Sequence, residues 1–455
     1  MHRTSTLDFT QGSLGKNIIR FSLPLFLGNL FQQLYNTADS LIVGNTLGPK
    51  ALASVASSGS LIFMMTGFFN GLAIGAGVVI SKYFGARDYD RMKKAIHTDL
   101  AFGLVAGLVL AVLGVLLTPV VLGWMRTPAD IMEGSVTYFR IYSYGILFCV
   151  MYNITMGIMN ATGDSTHPLI YLLISSAVNV VLDFYFIKAL HWGVGGAAAA
   201  TTIGQGLSFL LCFVRLLRTD EVYKVSLRDI RFNMPMLREI IRYGLPSGIQ
   251  NSVIAIANVF VQSNYNTFSS TAVAGCGSYS KIEGFAFIPI NAFVAAITTC
   301  VSQNLGAGQY ERARQGARFG ITVCLLLAEA IGLVEFIFAK QLIGLFNNDG
   351  QVIAYGVRQI HVESLFYFLL AISHSIAGVM RGAGKAKVPM FVMFGVWCVF
   401  RVLYISVAMS ISHTIELVFA AYPLTWSISS AIFIIYMKKS DWIHGLERQD
   451  SDSVA

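Results

Sequence analysis

Charged residues are scarce in this chain. Only 12% of its 455 residues are charged and 55% are hydrophobic, whereas a soluble globular protein carries about 25% charged residues. A helix that spans a bilayer needs roughly 20 predominantly apolar residues. The composition therefore excludes a soluble protein and predicts an all-α membrane protein with twelve transmembrane helices, at residues 20–44, 52–80, 96–121, 133–157, 168–190, 193–214, 240–266, 272–302, 317–340, 353–379, 389–411 and 415–437.

Catalytic and metal-binding motifs are also missing. The sequence has no Gly-x-Ser-x-Gly elbow, no His-Glu-x-x-His and no P-loop, which excludes the common hydrolase and zinc-protease designs and direct drive by ATP. Its six cysteines lie in apolar segments without metal-type spacing, so we interpret them as reduced thiols of the interior. We therefore predict that the chain is not an enzyme and needs no cofactor.

Lysine and arginine are distributed unevenly. Most of the 32 basic residues fall in the N-terminus, in the loops after even-numbered spans and in the C-terminus. By the positive-inside rule, both termini are predicted to be cytoplasmic, in a multi-pass protein of a bacterial-type inner (plasma) membrane. Contact of these loops with anionic lipid accounts for the net charge of +8, so no nucleic-acid partner is needed. Residues 1–19 have too little apolar sequence for a signal peptide, so we expect the first span to stay as an anchor.

The chain contains an internal repeat. Shifted by 221 residues, the segment from Gly157 to Pro168 falls on Gly378 to Pro389 without a gap. Six spans precede a polar linker and six follow it. Because six is an even number, both halves have the same orientation in the membrane, which predicts a 6+6 parallel repeat. We assign an N-terminal six-helix lobe to residues 1–215, a cytoplasmic linker to 216–240, a C-terminal six-helix lobe to 241–440 and a cytoplasmic tail to 441–455. A cleft between two such bundles would lie within one chain, so a monomer suffices.

Buried acids distinguish the two copies. Under the same shift Asp39 falls on Phe260, and Asp183 falls on Tyr404. A carboxylate at the centre of a membrane costs about 2.5–3.5 kcal/mol on insertion scales, so its presence indicates function. Asp39 ends a polar stripe on one face of the first span, and Asp183 shares a face of the fifth span with Asn179. The other members of the stripe are Asn29, Gln32 and Asn36.

These side chains offer only carboxylate, amide and hydroxyl oxygens, which suit a proton or a hard cation such as Na⁺. Two neighbouring carboxylates in a low dielectric would not both stay charged without a cation. We therefore expect Asp39, Asp183 and Asn179 to bind the coupling ion, H⁺ or Na⁺. Oxygen partners are expected at Asn36 and at Thr202 or its neighbour Thr201. The alternative is a polar cluster that only holds helices together.

Substrate contacts are predicted from adaptable side chains. Methionine and aromatic surfaces tolerate varied flat cations, although such residues are more often packing. The candidates are Gln32, Met64, Met65, Phe68, Tyr152 and Met156, with Asn251 and Asn258 on the seventh span as the other wall. A separate network in the C-terminal lobe is predicted from depth alone. It comprises Lys281, Glu283, His361, Glu363 and Arg401, and is interpreted as structural, with proton or substrate handling as the alternative.

The chain resembles the multidrug and toxic compound extrusion (MATE) family over residues 15–440. The resemblance rests on the 6+6 repeat and on paired loop signatures, Gly85-Ala86-Arg87 and Gln303-Asn304-Leu305-Gly306-Ala307. It implies a V of two lobes around a central cleft that exports organic, often cationic, compounds against protons or sodium. Asp39 and the Asn179–Asp183 pair match the DinF-type branch. The glutamate that other branches carry after a Gly-x-Pro is missing after Gly244-Leu245-Pro246.

The sequence thus predicts a secondary active multidrug efflux antiporter that works by alternating access. Its partners would be a small-molecule substrate and membrane lipids. The alternative is a flippase for lipids or lipid-linked oligosaccharides from the same superfamily. Such a protein would need basic residues for a pyrophosphate headgroup, and few occur within the spans.

Overall fold

The computed structural model describes residues 6–125 and 127–446, except for the side chains of Pro49, Ser60, Leu61, Phe63 and Met64. Every regular element in the described part of the chain is helical, and no β-strand occurs there. The α-helices are α1 Leu14–Leu47, α2 Pro49–Gly85, α3 Tyr89–Trp124, α4 Ala129–Ala161, α5 Thr166–Phe184, α6 Gly193–Arg218, α7 Met234–Tyr265, α8 Ser270–Gly306, α9 Tyr310–Ile337, α10 Ala339–Gly344, α11 Gly350–Glu363, α12 Tyr367–Gly382, α13 Lys387–Met393, α14 Arg401–Ile411 and α15 Ile415–Lys439.

Some of the predicted spans contain irregular turns. A π-helical turn at Tyr185–Ala189 extends α5, and another at Phe394–Phe400 joins α13 to α14, whereas a 3-10 turn at Ser364–Phe366 joins α11 to α12. Among the described residues, 11 helical segments are long and apolar enough to cross a membrane. The remaining long helix is α1, where polar side chains lower the hydropathy. The predicted all-α fold with a duplicated set of long helices is confirmed.

The chain divides into two compact units. The first contains the described residues through Asp8 and Leu27–Gly248, and the second contains Phe9–Phe26 and the described residues from Ile249 onward. In the first unit α4 packs against α2, α3 and α6, whereas in the second α8 packs against α9, α11 and α12. The boundaries differ from the proposed lobes of 1–215 and 241–440. The start of α1 packs with the second unit, and the start of α7 packs with the first.

The segment between the repeats is shorter than the proposed linker 216–240 and does not stand apart. Because α6 continues to Arg218 and α7 begins at Met234, only residues 219–233 lie between them. The Ser226 amide donates to His97 Nε2 over 3.1 Å, and the Asn233 amide donates to Thr98 Oγ1 over 3.3 Å. This segment is therefore part of the first unit.

The duplication is visible in the backbone. Gly163 and Gly384, which are equivalent under the 221-residue shift, both have positive φ, at 90° and 77°. The equivalent positions Arg87 and Gly308 also both have positive φ, at 58° and 69°. The two copies thus share left-handed turns at matching places, even where one of them carries arginine.

Candidate functional site

The predicted acids come together inside the first unit. Asp39 on α1 is 8% exposed, and Asn179 and Asp183 on α5 are 1% and 0% exposed. The Asp39 and Asp183 carboxyl groups are close enough for their charges to interact. On α6 the backbone at Gly204 leaves room for Asn179, since a Cβ built on this glycine would lie 3.1 Å from Asn179 Cβ. Three helices thus meet around two carboxyl groups and one amide.

Hydrogen-bond partners are missing at this cluster. Apart from the approach of the two carboxyl groups to each other, Asp39 Oδ1, both carboxylate oxygens of Asp183 and both amide atoms of Asn179 are buried without a partner among the described residues. Leaving a buried polar group unpaired costs about 1–3 kcal/mol, so such groups in a native protein call for an explanation. Carboxylate and amide oxygens are suited to a proton or a hard cation. The chemistry of the cluster therefore fits the coupling ion predicted for it.

The two adjacent threonines of α6 have different neighbours. The Thr201 side chain interacts with the hydroxyls of Tyr35 and Tyr138, and both tyrosines interact electrostatically with Asp39 and Asp183. Thr202 instead packs on α4, where a Cβ built on Gly145 would lie 2.2 Å from Thr202 Cγ2. The Thr202 hydroxyl is buried without a hydrogen-bond partner among the described residues, so both threonines stay proposed oxygen partners.

Tyr35 and Tyr138 were missed by the sequence analysis. Tyr35 precedes Asp39 by four residues on α1, so helical spacing alone would have placed it beside the acid. Tyr138, which is 5% exposed on α4, is brought in only by packing between helices. No local signal in the sequence connects it with Asp39.

The rest of the polar stripe on α1 lies outside the buried cluster. Gln32 and Asn36 are exposed, and Asn29 is half-buried. Asn36 was grouped with the ion-binding residues because of its helical spacing from Asp39. The structure shows that only Asp39 of this stripe is buried.

The proposed substrate-binding residues differ in their accessibility. Met65, Phe68 and Met156 are half-buried, whereas Tyr152 is 9% exposed and belongs to the interior of the first unit. In the second unit Asn251 is half-buried and Asn258 is exposed. The side chain of Met64 lies outside the described residues.

Three residues of the network proposed for the C-terminal lobe lie within electrostatic range of one another in the second unit. Glu363 and Arg401 are both 0% exposed, and Glu283 is half-buried and interacts electrostatically with Arg401. Lys281 and His361 are exposed and lie outside it. The Lys281 ammonium lies 5.4 Å from the centre of the Phe346 ring, and the His361 ring packs 4.5 Å from that of Phe336.

Among the described residues, no group of three or more His, Cys, Asp or Glu side chains could hold a metal ion. A sodium ion at Asp39, Asp183 and Asn179 would therefore depend on two carboxylates and on neutral oxygens. A proton needs only one of the two carboxyl groups.

Comparison with known proteins identifies the family. The MatE family profile matches the chain twice, at residues 24–185 and 246–405, which together make up more than half of it. The two matches coincide with the two halves of the internal repeat.

Curated relatives and solved structures agree with this match. The chain is 27% identical to the probable multidrug resistance protein YoeA of Bacillus subtilis (strain 168) over 436 residues, which cover 93% of both chains. It is 28% identical to the probable multidrug resistance protein YpnP of the same organism over 385 residues, or 83% of this chain and 84% of the relative. Its fold matches the outward-facing conformation of a multidrug resistance MATE family transporter of the MOP superfamily with a TM-score of 0.91, at 22% identity and over 98% of this chain and 100% of the other.

The twofold match of the family profile, the all-helical architecture and the agreement in fold lead to one conclusion. The chain belongs to the MatE family, and it is a membrane transporter and not an enzyme.

Proposed function

We propose that this protein is a secondary active antiporter that exports organic, often cationic, compounds in exchange for protons or sodium ions. The observation that carries the proposal is the cluster of unpartnered buried oxygens on Asp39, Asn179 and Asp183. A coupling ion would satisfy these atoms when bound, and its release would leave them unpaired. Ion occupancy would therefore change the stability of one arrangement of the helices relative to another.

Binding of the coupling ion can then be assigned to named residues. Asp39 and Asp183 would share one cation, because two neighbouring carboxylates in a low dielectric cannot both stay charged without one. Asn179 would contribute its amide oxygen, and Thr201 would orient the Tyr35 and Tyr138 hydroxyls around the acids. The membrane potential supplies about 2.3 kcal/mol per charge per 100 mV for inward movement of that cation.

The multidrug character of the substrate rests on the names of the relatives, since YoeA and YpnP are both described as probable multidrug resistance proteins. The half-buried Met65, Phe68 and Met156 offer adaptable apolar surface for flat organic cations. We place the protein in a bacterial inner membrane with both termini in the cytoplasm, acting as a monomer.

Transport in proteoliposomes with inside-out protein tests the proposal. A fluorescent organic cation is added outside, and either an acidic lumen or a sodium-loaded lumen supplies the gradient. We expect one gradient to drive uptake of the dye in the wild type, and Asp39→Asn and Asp183→Asn to abolish it. Asp130→Asn is the matched control, because the Asp130 side chain is 56% exposed in a surface ion pair with Lys50.

Gradient-driven uptake that survives in both Asp39→Asn and Asp183→Asn would refute coupling at this cluster. Absence of uptake across a broad panel of dyes under both gradients would refute drug export and favour the flippase. A lipid-scrambling assay on the same vesicles would then test that alternative.

A further inference from the structure

A chain of four buried oxygen atoms crosses the second unit. The Tyr367 hydroxyl lies 2.9 Å from Glu335 Oε2, and the Tyr279 hydroxyl lies 2.9 Å from Glu363 Oε2, both at hydrogen-bond distance. The two tyrosine oxygens are 3.1 Å apart, with either able to donate. The four side chains come from α8, α9, α11 and α12, and none is more than 3% exposed.

The two tyrosines together supply one hydrogen fewer than the contacts between these four oxygens require. Four oxygens in a row make three contacts at hydrogen-bond distance, and each contact requires one hydrogen between its oxygens. Each tyrosine supplies one hydrogen, which makes two. If both tyrosines donate outward to carboxylates, the contact between Tyr279 and Tyr367 has no hydrogen. The third hydrogen must therefore be carried by Glu335 or Glu363.

The surroundings of the two acids decide which of them carries it. Glu363 Oε1 accepts a hydrogen bond from Gln359 Nε2 over 2.8 Å, and the same nitrogen donates to the Tyr265 hydroxyl over 3.1 Å. The charges of Glu283 and Arg401 both act on Glu363, where Glu283 opposes and Arg401 favours a carboxylate, and Glu283 also interacts with Glu335. Within the described residues, Glu335 has one hydrogen-bond partner, the Tyr367 hydroxyl. Glu363 is thus the better-stabilised carboxylate, and Glu335 is the end that holds the proton.

Unused polar atoms surround this chain of oxygens. Within the described part of the protein, Gln359 Oε1 and the Nε and Nη1 atoms of Arg401 are buried without a hydrogen-bond partner. Arg401 Nη2 donates to Thr425 Oγ1, and its guanidinium lies 4.9 Å from the Trp397 ring centre. Glu283, Tyr265 and Tyr422 are the other titratable groups within electrostatic range of Arg401. A guanidinium with unused donors can stabilise a carboxylate on Glu363.

We propose that the second unit contains a proton relay in which Glu335 holds one exchangeable proton that passes through Tyr367 and Tyr279 to Glu363. In the transfer Glu335 gives its proton to the Tyr367 oxygen, Tyr367 gives its own to Tyr279, and Tyr279 gives its own to Glu363. Glu335 ends as a carboxylate and Glu363 as a carboxylic acid, with both tyrosines unchanged. The relay shares no residue with the Asp39 cluster and does not depend on the proposed transport activity.

Infrared spectroscopy of the full chain in lipid tests the relay, because protonated carboxyl groups absorb apart from carboxylates. At neutral pH we expect Glu335→Gln to lose one carboxylic acid band relative to the wild type. The glutamine amide can donate to Tyr367, so Glu363 remains a carboxylate. Glu416→Gln is the control and should leave the region unchanged, since Glu416 is exposed in an ion pair with Arg358.

A second variant keeps the test independent of how well Glu335→Gln folds. In Tyr367→Phe the Glu335 carboxyl group loses its acceptor but remains buried and protonated. The same band should therefore persist and shift to higher wavenumber. A carboxylic acid region that is unchanged in Glu335→Gln, or a band that does not move in Tyr367→Phe, would overturn the proposal.

Discussion

Gly75 on α2 lies so close to Gly244 on α7 that a Cβ atom built on Gly75 would be 2.2 Å from Gly244 Cα. One turn away, a Cβ on Gly71 would be 2.5 Å from Gly248 Cα. Two glycines four residues apart on each helix therefore let the backbones touch, with no side chains between them.

Gly75→Ala should destabilise the protein by about 1–3 kcal/mol, the usual cost of overpacking, because the backbones must separate to admit the methyl group. Gly59→Ala on the same helix is the control, since nothing lies within 4 Å of its Cβ. Alanine there should be neutral or stabilising by up to about 1 kcal/mol through helix propensity. Thermal unfolding in detergent measures both, and equal effects would contradict the close contact.

The ion pair between Lys82 and Glu239 should contribute far more to stability than the surface pair between Lys50 and Asp130. Lys82 Nζ lies 3.1 Å from Glu239 Oε1, with the two side chains 7% and 17% exposed. Removing one partner of a buried pair costs roughly 3–5 kcal/mol. Because the Tyr83 hydroxyl also donates to Glu239, we expect Lys82→Met to lower the free energy of unfolding by about 3 kcal/mol, the lower end of that range. Lys50→Met breaks a pair that is 75% and 56% exposed, so it should cost less than about 1 kcal/mol. Thermal unfolding measures both variants. Similar losses of stability would show that the pair between Lys82 and Glu239 is not buried in solution.

Asp183→Asn should abolish coupled transport without lowering the melting temperature, because no hydrogen-bond donor among the described residues contacts either carboxylate oxygen of Asp183, and the asparagine removes its unfavourable interaction with the nearby Asp39 carboxylate. Asp164→Asn is the comparison, since Asp164 is equally buried but accepts from His167 Nδ1 over 2.7 Å. Losing a hydrogen bond to a charged group should destabilise that variant by about 1.5–3 kcal/mol. A large drop in melting temperature for Asp183→Asn would assign that residue a structural role.

The two adjacent threonines on α6 should behave differently in transport. Thr201→Val removes the hydroxyl that contacts Tyr35 and Tyr138, so gradient-driven uptake should fall roughly tenfold, the equivalent of one hydrogen bond of about 1.4 kcal/mol. Thr202→Val should leave uptake unchanged, since Thr202 packs against Gly145. Initial rates in proteoliposomes compare the two variants, and the reverse order would assign the ion site to Thr202 in place of Thr201.

Tyr223 attaches the segment between the repeats to the first unit. Its hydroxyl donates to Asp164 Oδ2 over 3.4 Å, and burial raises the pKa of the phenol above its ordinary value. The neutral phenol therefore persists at every pH below the ordinary tyrosine value of about 10, and its contribution to stability is lost only as the pH rises through the raised pKa. Tyr223→Phe should cost about 1 kcal/mol. The difference from wild type in thermal unfolding should be constant from pH 6 to about pH 9, and a difference that vanished within this range would contradict the bond.

Features that follow from the burial of single residues were predictable from the sequence. Apolar runs located the long helices, and the cost of a charge in a membrane singled out Asp39 and Asp183. The same cost applies to Glu335, which lies in the ninth apolar run, and this acid could have been found by the same argument.

Features that depend on the rotation of a helix could not be predicted. Thr201 and Thr202 differ by one residue, or about 100° around α6, and only packing decides which of them faces the acids. Lys281 and His361 were assigned to a network by depth alone, and both proved exposed. The tyrosines of the proton relay belong to helices far apart in the chain, so no local pattern joins them.

The turn after α2 shows what gene duplication preserves. Arg87 and Gly308 occupy the same left-handed conformation although only glycine adopts it without strain. Glycine is thus not what produces this turn, because the copy that lacks it bends in the same way. The path of the main chain at this turn therefore preserves the common origin of the two copies after the side chain has changed.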